Sequence, residues 1–353
     1  MKKKKKIIRI LGAGPSGLTA AIVLAQHGYR VIVNEYRENV GSRFNEDYQG
    51  LENWSSDDDS LDEISSFGLN LQPCCKPIHS VNIFDPRFRV KEFNAKKPLF
   101  YLVKRGTSDD TLDIFLKQQA IDLGVEIKFL SHLDSSVGHH IIATGPKRTD
   151  VIATGVTFNH DVRDGVYMIL NNHFAPKGYA YCIASDRSVT IATVLYDDFS
   201  KAKKCLDKTI LKFQQLLEFD KISEIQSWGG YGSFSIPKTA NINGQLYVGE
   251  AAGFQDFLCG FGIRYAIVSG YLAAISLVTN SNYDQLWKKR LLTSMEASVA
   301  NRFICTMFGN FGYRILWLMI ANSSYPSRFM KWLYSLSPSR RLLFQVHKHL
   351  FQK

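Results

Sequence analysis

A glycine-rich motif near the N-terminus has the residue types and the spacing of a nucleotide-binding turn. It reads Gly12, Ala13, Gly14, Pro15, Ser16, Gly17. Gly12 permits a sharp exit from a strand, Gly14 lets a phosphate approach the backbone, and Gly17 permits close helix packing. A helix beginning here directs free N–H groups and the positive end of its dipole toward that phosphate. The motif therefore predicts a dinucleotide site.

Two acidic residues discriminate among the nucleotides that such a turn could hold. Glu35 lies 18 residues after the motif, where a carboxylate accepts hydrogen bonds from ribose hydroxyls and disfavours a 2′-phosphate, which leaves FAD or NAD. Glu250 follows an apolar stretch that ends at Gly249, and it precedes a loop containing Gly260 and Gly262. An acid beside a second helix N-terminus suits the ribityl chain and isoalloxazine ring of FAD, which NAD lacks. This second segment favours FAD.

The elements that must position these residues follow from the pattern of apolar residues. Strands are predicted over 7–11 and 29–34, and helices over 18–26 and about 262–279. This order predicts an α/β fold, α+β overall, with a Rossmann-like FAD-binding domain. Alternating apolar residues predict an inserted antiparallel sheet that forms the substrate or cap domain. The expected domains are a discontinuous FAD-binding domain (1–45, 100–155 and 235–280), the cap (46–99 and 156–234) and a basic helical C-terminal region (281–353).

Together these motifs resemble those of the FAD-dependent oxidoreductases of the geranylgeranyl reductase family, relatives of the aromatic hydroxylases. The likeness rests on the first motif with Glu35, on Lys104–Gly106, Ile141–Gly145 and Gly249–Gly253, and on Gly260–Ile263 and Ser269–Ala274. The resemblance implies that Arg105 helps to hold the flavin. The cofactor-binding residues it implies are Gly12, Gly14, Pro15, Ser16, Gly17, Glu35, Arg105, Gly249, Glu250, Gly260, Gly262 and Ile263.

Several positions depart from the family's pattern. Glu250 replaces an Asp, Phe257 stands where Pro is usual, and Phe261 stands where Glu is often found. The two Phe side chains are expected to make the re face of the flavin more apolar. Tyr179 and Tyr181 stand where the family's substrate domain often has Tyr-x-Trp, and both pocket lining and plain strand packing are open for them. The candidate substrate residues are therefore Tyr179, Tyr181, Phe257 and Phe261.

The resemblance also implies an activity. It is the reduction of carbon–carbon double bonds in an apolar, isoprenoid- or lipid-like substrate, by hydride transfer from N5 of the reduced flavin. NAD(P)H or ferredoxin is the expected external electron donor. Cys259, in the loop expected to face the flavin, is the candidate catalytic proton donor or redox partner, and a small packed thiol is the alternative. No metal site is expected, because the six cysteines lack metal-ligand spacing.

Two other functions remain open at this point. One is a flavin-dependent monooxygenase acting on an apolar or aromatic substrate, since the same fold activates dioxygen in a dry, closed site. The halogenase signature Trp-x-Trp-x-Ile-Pro is absent, which disfavours that branch. The other is a non-catalytic, membrane-associated protein that kept the FAD fold, and the departure at Glu250 favours it.

The positive charge of the chain lies at its ends. The 353 residues carry a net charge of +11, of which residues 281–353 contribute +9, and five Lys precede Ile7. In the tail, apolar residues repeat at helical spacing at Phe329, Trp332, Leu333 and Leu336, and again at Leu342, Leu343, Val346 and Leu350. A basic amphipathic region predicts contact of 325–353 with an anionic membrane surface, and a packed helical subdomain is the alternative. Nucleic acid is not expected as a partner.

The sequence also bears on the compartment. The Lys run and the apolar residues after it imitate a signal peptide, but Arg9 and the glycine motif suit a strand and turn better. No run of about 20 apolar residues suggests a membrane span. With cysteines in no disulfide pattern, we expect a cytoplasmic protein, peripheral on the inner face of the membrane if the tail binds there.

Overall fold

The computed structural model describes residues 6–131, 138–220 and 222–351 of the chain. Lys2–Lys5 of the predicted basic N-terminus lie outside the described residues, as do the side chains of Val346 and Leu350. The chain divides into two compact units. Unit 1 consists of Met1–Lys76, Leu102–Lys147 and Ser233–Glu296, and unit 2 consists of Pro77–Tyr101, Arg148–Gly232 and Ala297–Lys353.

The strands of the described residues are short and alternate with helices in the N-terminal third. They are β1 (Ile7–Leu11), β2 (Arg30–Asn34), β3 (Asp47–Glu52), β4 (Cys75–Ile78), β5 (Ser80–Phe84), β6 (Val90–Asn94), β7 (Phe100–Arg105), β8 (Glu126–Lys128), β9 (Ile141–Ile142), β10 (Val151–Asn159), β11 (Gly165–Ile169), β12 (Tyr179–Ser185), β13 (Ser188–Leu195), β14 (Gln226–Gly232), β15 (Asn241–Ile242) and β16 (Gln245–Tyr247).

The helices gather toward the C-terminus. They are α1 (Pro15–Gln26), α2 (Ser60–Ser66), α3 (Leu112–Asp122), α4 (Ala202–Leu217), α5 (Ile263–Thr279), α6 (Tyr283–Trp287), α7 (Thr293–Met307), α8 (Gly309–Ala321), α9 (Pro326–Leu333) and α10 (Pro338–Phe351). A short 3₁₀ turn, Gly249–Ala252, follows β16.

Unit 1 is built on a mostly parallel sheet with the strand order β15-β16-β9-β1-β2-β8. β1 pairs in parallel with β2, where Ile10 lies opposite Val33, and with β9, where Leu11 lies opposite Ile142. These apolar side chains are buried, as expected for a parallel sheet covered on both faces. The strand–helix–strand order confirms the predicted Rossmann-like α/β domain.

Helices α1 and α5 pack closely because small residues lie between them. A Cβ built on Gly270 of α5 would come 2.2 Å from the backbone oxygen of Ser16, so only glycine fits there. The small-residue helix predicted over about 262–279 is thus α5, and it lies against the N-terminal turn of α1.

Unit 2 is built on a sheet with the order β14-β10-β13-β12-β11-β5-β6. Neighbouring strands are antiparallel, except that β11 runs parallel to β5. Leu206 and Phe213 of α4 join the core of this sheet with Val156 and Ile191. The predicted antiparallel sheet is therefore present. A smaller sheet has the order β3-β7-β4.

Three segments differ in placement from the expected domains. Residues 46–76 lie in unit 1, although their pattern assigned them to the cap, and residues 148–155 lie in unit 2, although they were assigned to the FAD-binding domain. The expected C-terminal region is divided, with 281–296 in unit 1 and 297–353 in unit 2. In α9 and α10, Leu333, Phe344 and Arg340 are buried, and Arg340 Nε donates to Asn301 Oδ1 at 3.1 Å. None of the helices within the described residues is long and apolar enough to cross a membrane.

Candidate nucleotide-binding site

The turn between β1 and α1 has the geometry of a phosphate-binding cradle. Gly12 has a φ of +102°, and a Cβ there would come 2.3 Å from the carbonyl oxygen of Ala143. A Cβ on Gly17 would come 2.0 Å from the carbonyl oxygen of Gly12. By contrast, apart from Gly14 itself and its two chain neighbours, no atom of the described residues lies within 4 Å of a Cβ built on Gly14. Gly12 and Gly17 are therefore needed by the fold, whereas Gly14 borders open space.

The start of α1 is left available to a ligand. Pro15 occupies its first turn, and among the described residues no side chain caps this end and no acid lies in its first turn. Uncapped N–H groups at a helix N-terminus attract anions through both hydrogen bonds and the helix dipole. The open space at Gly14 lies at this same end, so the cradle fits a diphosphate.

Glu35 lies beside the cradle, as the sequence predicts. Its Oε2 accepts a hydrogen bond from the Ala13 N–H at 2.7 Å, and its Oε1 accepts one from the Arg37 N–H at 2.9 Å. These backbone donors hold the carboxylate at the end of β2. A carboxylate has further lone pairs, so hydroxyls of a ribose can still bind there.

The segment after β16, which begins at Gly249, also contacts the N-terminal end of α1. Gly249 has a φ of +57°, and a Cβ there would come 2.9 Å from Ser16 Oγ. The Gly249 N–H donates to Ser269 Oγ of α5 at 2.9 Å. The two predicted glycine segments are thus brought together at Ser16, although more than 230 residues separate them.

Glu250 is largely buried and lies beside two arginines. Arg43 Nη1 lies 3.4 Å from Glu250 Oε2, where the carboxylate is 20% exposed. Burial raises the pKa of Glu250 above its ordinary value, and the charges of Arg43 and Arg105 offset only part of that shift. The carboxylate is therefore poorly solvated, and hydroxyl donors from a ligand would stabilise it.

Arg105 is held rigidly by the protein itself. Its Nε and Nη2 donate to the two oxygens of Asp113 at 2.8 and 2.9 Å, and Nη1 donates to Gln49 Oε1 at 3.3 Å. The guanidinium also lies 4.1 Å from the ring centre of Phe44. Burial opposes the charged form, but Asp113, with Asp47 and Glu250, raises the pKa of Arg105 above its usual value. Arg105 thus supplies a permanent positive charge close to Glu250.

The loop between the 3₁₀ turn and α5 is closed around Asp256. Its carboxylate is fully buried and accepts hydrogen bonds from the N–H groups of Leu258 and Cys259, at 2.9 and 2.8 Å. The Gly260 N–H donates to the Asp256 carbonyl at 3.0 Å. The Cys259 thiol is half-buried in this loop. The Asp256 carboxylate and carbonyl therefore hold the backbone of this loop in place.

Gln255 borders the start of α5. Its Nε2 donates to the Gly260 carbonyl at 2.9 Å, and its side chain lies 3.4 Å from where a Cβ of Gly262 would be. Its buried Oε1 accepts no hydrogen bond from any described residue. Ile263 begins α5, whose N-terminus lacks a side-chain cap among the residues described. An uncapped helix start and an unsatisfied amide oxygen together fit a polar ligand ring at this loop.

The four candidate substrate residues fall into the two units. In unit 1, Phe257 lies 5.0 Å from the Phe234 ring, and Phe261 packs edge-on against Trp54 at 4.9 Å. In unit 2, Tyr179 and Tyr181 are neighbours on one face of β12, with ring centres 6.1 Å apart. The Phe257 and Phe261 rings contribute apolar side chains to this loop, and their expected place at the re face of the flavin stays a prediction.

Sequence reasoning missed Arg43 and an ion network at the start of α5. Arg264 is buried and pairs with Glu52 at 3.1 Å and with Glu63, which also binds Arg290. These partners come from separate elements, and no local motif marks them. In the described part of the chain, no group of three His, Cys, Asp or Glu side chains could hold a metal ion.

Comparisons with known proteins agree with this geometry. Residues 10–50 match the NAD(P)-binding Rossmann-like domain family. No curated protein matches the sequence. Among solved structures, a geranylgeranyl bacteriochlorophyll reductase-like protein from Thermoplasma acidophilum is similar over 99% of this chain and 98% of its own, with 17% identity and a TM-score of 0.71.

Two further structures share the fold. A flavin-dependent brominase is similar over 99% of each chain, with 15% identity and a TM-score of 0.65. The protein CtdE, solved in complex with FAD and a substrate, is similar over 98% of each chain, with 15% identity and a TM-score of 0.57. The chain therefore has the fold of FAD-binding oxidoreductases and monooxygenase-type flavoproteins.

Proposed function

We propose that the protein is an FAD-dependent oxidoreductase that reduces carbon–carbon double bonds of an apolar, isoprenoid- or lipid-like substrate. The observation that carries the cofactor assignment is the open space at Gly14, at an uncapped helix start beside Glu35. When bound, FAD supplies the hydride chemistry. NAD(P)H or ferredoxin is the proposed external electron donor.

In this proposal the residues of unit 1 have separate roles. The N–H groups at the start of α1 bind the diphosphate, and Glu35 accepts hydrogen bonds from the adenosine ribose. Glu250 accepts hydrogen bonds from the ribityl hydroxyls, and Arg105, fixed by Asp113, keeps positive charge near them. The polar ring binds at the loop that carries Gly260, Gly262 and Ile263.

The reacting region is proposed to lie at the same loop. Phe257 and Phe261 exclude water from it and favour an apolar substrate. Cys259 is the proposed proton donor, because its thiol is half-buried in this loop and its N–H is fixed by Asp256. Tyr179 and Tyr181, neighbours on β12, are further proposed substrate residues.

The Gly14→Ala variant tests the cofactor assignment. Its backbone φ of −77° suits any residue, so the new Cβ should not disturb the apo fold, but it would occupy the space assigned to the diphosphate. We expect FAD affinity, measured by fluorescence titration, to fall about tenfold or more, the size of one lost hydrogen bond to a charged group. Saturating FAD should raise the Tm of the wild type more than that of the variant.

Gly230→Ala in β14 is the matched control. A Cβ on Gly230 also has no described neighbour within 4 Å, so the substitution is equally mild for the fold. It should leave FAD affinity unchanged. A protein that binds no FAD, or a Gly14→Ala variant that binds FAD as the wild type does, would contradict the assignment.

A monooxygenase is the second candidate function, favoured by the aromatic packing of Phe261 on Trp54 and by the likeness to a brominase. Anaerobic reduction of bound FAD with loss of its visible absorbance is expected for both enzymes. Oxygen consumption that matches the amount of hydroxylated product identifies the monooxygenase, whereas anaerobic saturation of an alkene identifies the reductase. A colourless protein that cannot be reconstituted with FAD supports the non-catalytic alternative.

A further inference from the structure

Helix α8 in unit 2 is apolar on two opposite faces. One face consists of Tyr313, Trp317 and Ile320, all buried. Trp317 Nε1 donates to the Ile83 carbonyl of β5 at 2.9 Å, and the Arg89 guanidinium lies 4.7 Å above its ring. These contacts fix the orientation of α8 within the unit.

The opposite face of α8 is exposed. Its side chains are Phe311, Ile315, Leu318 and Met319, with Phe311 64% exposed. Their spacing of four, three and one residues places them on one side of a helix. The last turn of α7 adds Ile304 and Met307, and Phe308 lies between α7 and α8; all three are also exposed. These seven residues are named the α7–α8 apolar face.

A helix on the surface of a globular unit ordinarily turns a polar face to solvent. Exposed apolar patches on soluble proteins mark binding surfaces, whereas single exposed apolar residues need no explanation. Here seven large apolar side chains lie within sixteen consecutive residues, 304–319. This clustering indicates a surface that is covered in function.

The charge around this face identifies what covers it. From residue 297 to 353 the sequence has eight Lys and Arg and no Asp or Glu. Arg314 lies between the two faces of α8, and Arg328 and Lys331 are in α9. A second copy of the chain on this face would bring like charges together, whereas an anionic bilayer is complementary to both the charge and the apolar side chains.

We propose that the α7–α8 apolar face inserts into the interface of an anionic lipid bilayer and holds the protein on the membrane. The proposal places a membrane contact at 304–319, beside the one expected at 325–353. In the tail, Leu333, Phe344 and Arg340 are buried in the folded unit, whereas Tyr325, Trp332 and Leu342 are exposed.

Flotation of the full-length protein with lipid vesicles tests the proposal. The probes are vesicles of phosphatidylcholine alone and of equal parts phosphatidylcholine and phosphatidylglycerol. The wild type should float with the anionic vesicles and less with the neutral ones. The double variant Phe311→Ser, Leu318→Ser should lose about tenfold or more of this binding, since each removed side chain otherwise buries apolar area in lipid.

The matched control is Leu211→Ser in α4, which removes an apolar side chain that is 61% exposed in the same unit. It should bind vesicles as the wild type does. Because Phe311 and Leu318 are exposed, the double variant should keep the wild-type Tm, which separates lost binding from unfolding. Arg314→Glu should weaken binding to the anionic vesicles and leave binding to the neutral ones unchanged.

Three outcomes would overturn the proposal. The wild type could fail to float with anionic vesicles, or the double variant could float as well as the wild type. Light scattering could instead show a dimer that the double variant dissociates, which would assign the face to a second copy. FAD content is measured on every variant, so a failure of the cofactor assignment is seen separately.

Discussion

At the scale of single residues, Glu250 combines a proposed role in binding the flavin with a cost to the stability of the protein without ligand. Its neighbours Arg43 and Arg105 favour the charged form, yet burial raises its pKa above 4.5. Between pH 4.5 and the raised pKa, the native state holds a proton that the unfolded state has lost. Stability contributed by this carboxyl therefore falls as pH rises through that window, and the cost persists above it.

The Glu250→Gln variant should separate these two effects. Without FAD, its Tm relative to the wild type should rise as the pH is increased from about 4.5 to neutrality, because the amide has no charge to bury. With FAD, its affinity should fall about tenfold, because a charged acceptor of hydroxyl hydrogen bonds is lost. Calorimetry across pH measures the Tm of each protein without FAD, and titration measures its affinity for FAD. A Tm difference between variant and wild type that does not change with pH would contradict the claim that burial raises the pKa of Glu250.

A short sequence motif can predict a site residue when that residue acts together with residues close to it in the sequence. Glu35 and the glycines of the first turn are of this kind, and the structure places them together at the start of α1. Arg43 and Gln255 could not be found in this way. Their positions depend on Glu250 and Gly262, which reach them only through the packed fold.

At the scale of elements, α5 is tied to β3 and α2 by buried charge. Arg264, in the first turn of α5, pairs with Glu52 and Glu63, and burial opposes its charge while these two acids raise its pKa. Ser55 also accepts from Arg264. The network sets where the N-terminus of α5 lies, and hence where the Gly260–Ile263 loop is held.

Replacing Arg264 by Met should cost about 3–5 kcal/mol of unfolding free energy, because Glu52 is left as an uncompensated buried charge. Arg290→Met is the matched control. The Arg290 side chain is 33% exposed, and in this variant Glu63 still has Arg264 as a partner. The loss of unfolding free energy should therefore be about 1 kcal/mol or less. Urea denaturation of both variants measures the difference. Equal losses would show that the network does not anchor α5 through Glu52.

The spacing of apolar residues predicts where helices lie, but it does not predict which face of each helix is buried. The helix expected at 262–279 is Ile263–Thr279, and the tail helices α9 and α10 begin at Pro326 and Pro338. The outward apolar face of α8 was not predicted. Residues 303–327 contain apolar runs too short to span a membrane, and sequence alone does not say which side of such a helix is buried.

At the scale of the whole molecule, each unit is assembled from three separated segments. The alternating pattern of residues 46–76 predicted strands but could not indicate which unit they join, because pairing partners are distant in sequence. The C-terminal residues 297–353 likewise complete unit 2, with Arg340 hydrogen-bonded to Asn301 and Asn301 donating to the Leu333 carbonyl.

Deletion of 325–353 should therefore lower the Tm of the protein by several degrees, since it removes buried Leu333 and Phe344 from unit 2. Circular dichroism on heating measures this. A deletion that keeps the wild-type Tm would mean that the tail is dispensable for unit 2. Vesicle binding of the deleted chain should persist if it remains folded, because residues 304–319 are intact.

The strand order of unit 1 has a consequence for synthesis of the protein. β1 begins at Ile7, but β16, which completes the parallel sheet beside β9, ends at Tyr247, and α5 ends only at Thr279. A ribosome adds about 5–20 residues per second, so the phosphate turn emerges many seconds before Glu250 exists. Chains that terminate before Tyr247 carry the turn without Glu250. Under the proposed function, FAD loading therefore follows the synthesis of α5, which ends at Thr279 of the 353 residues.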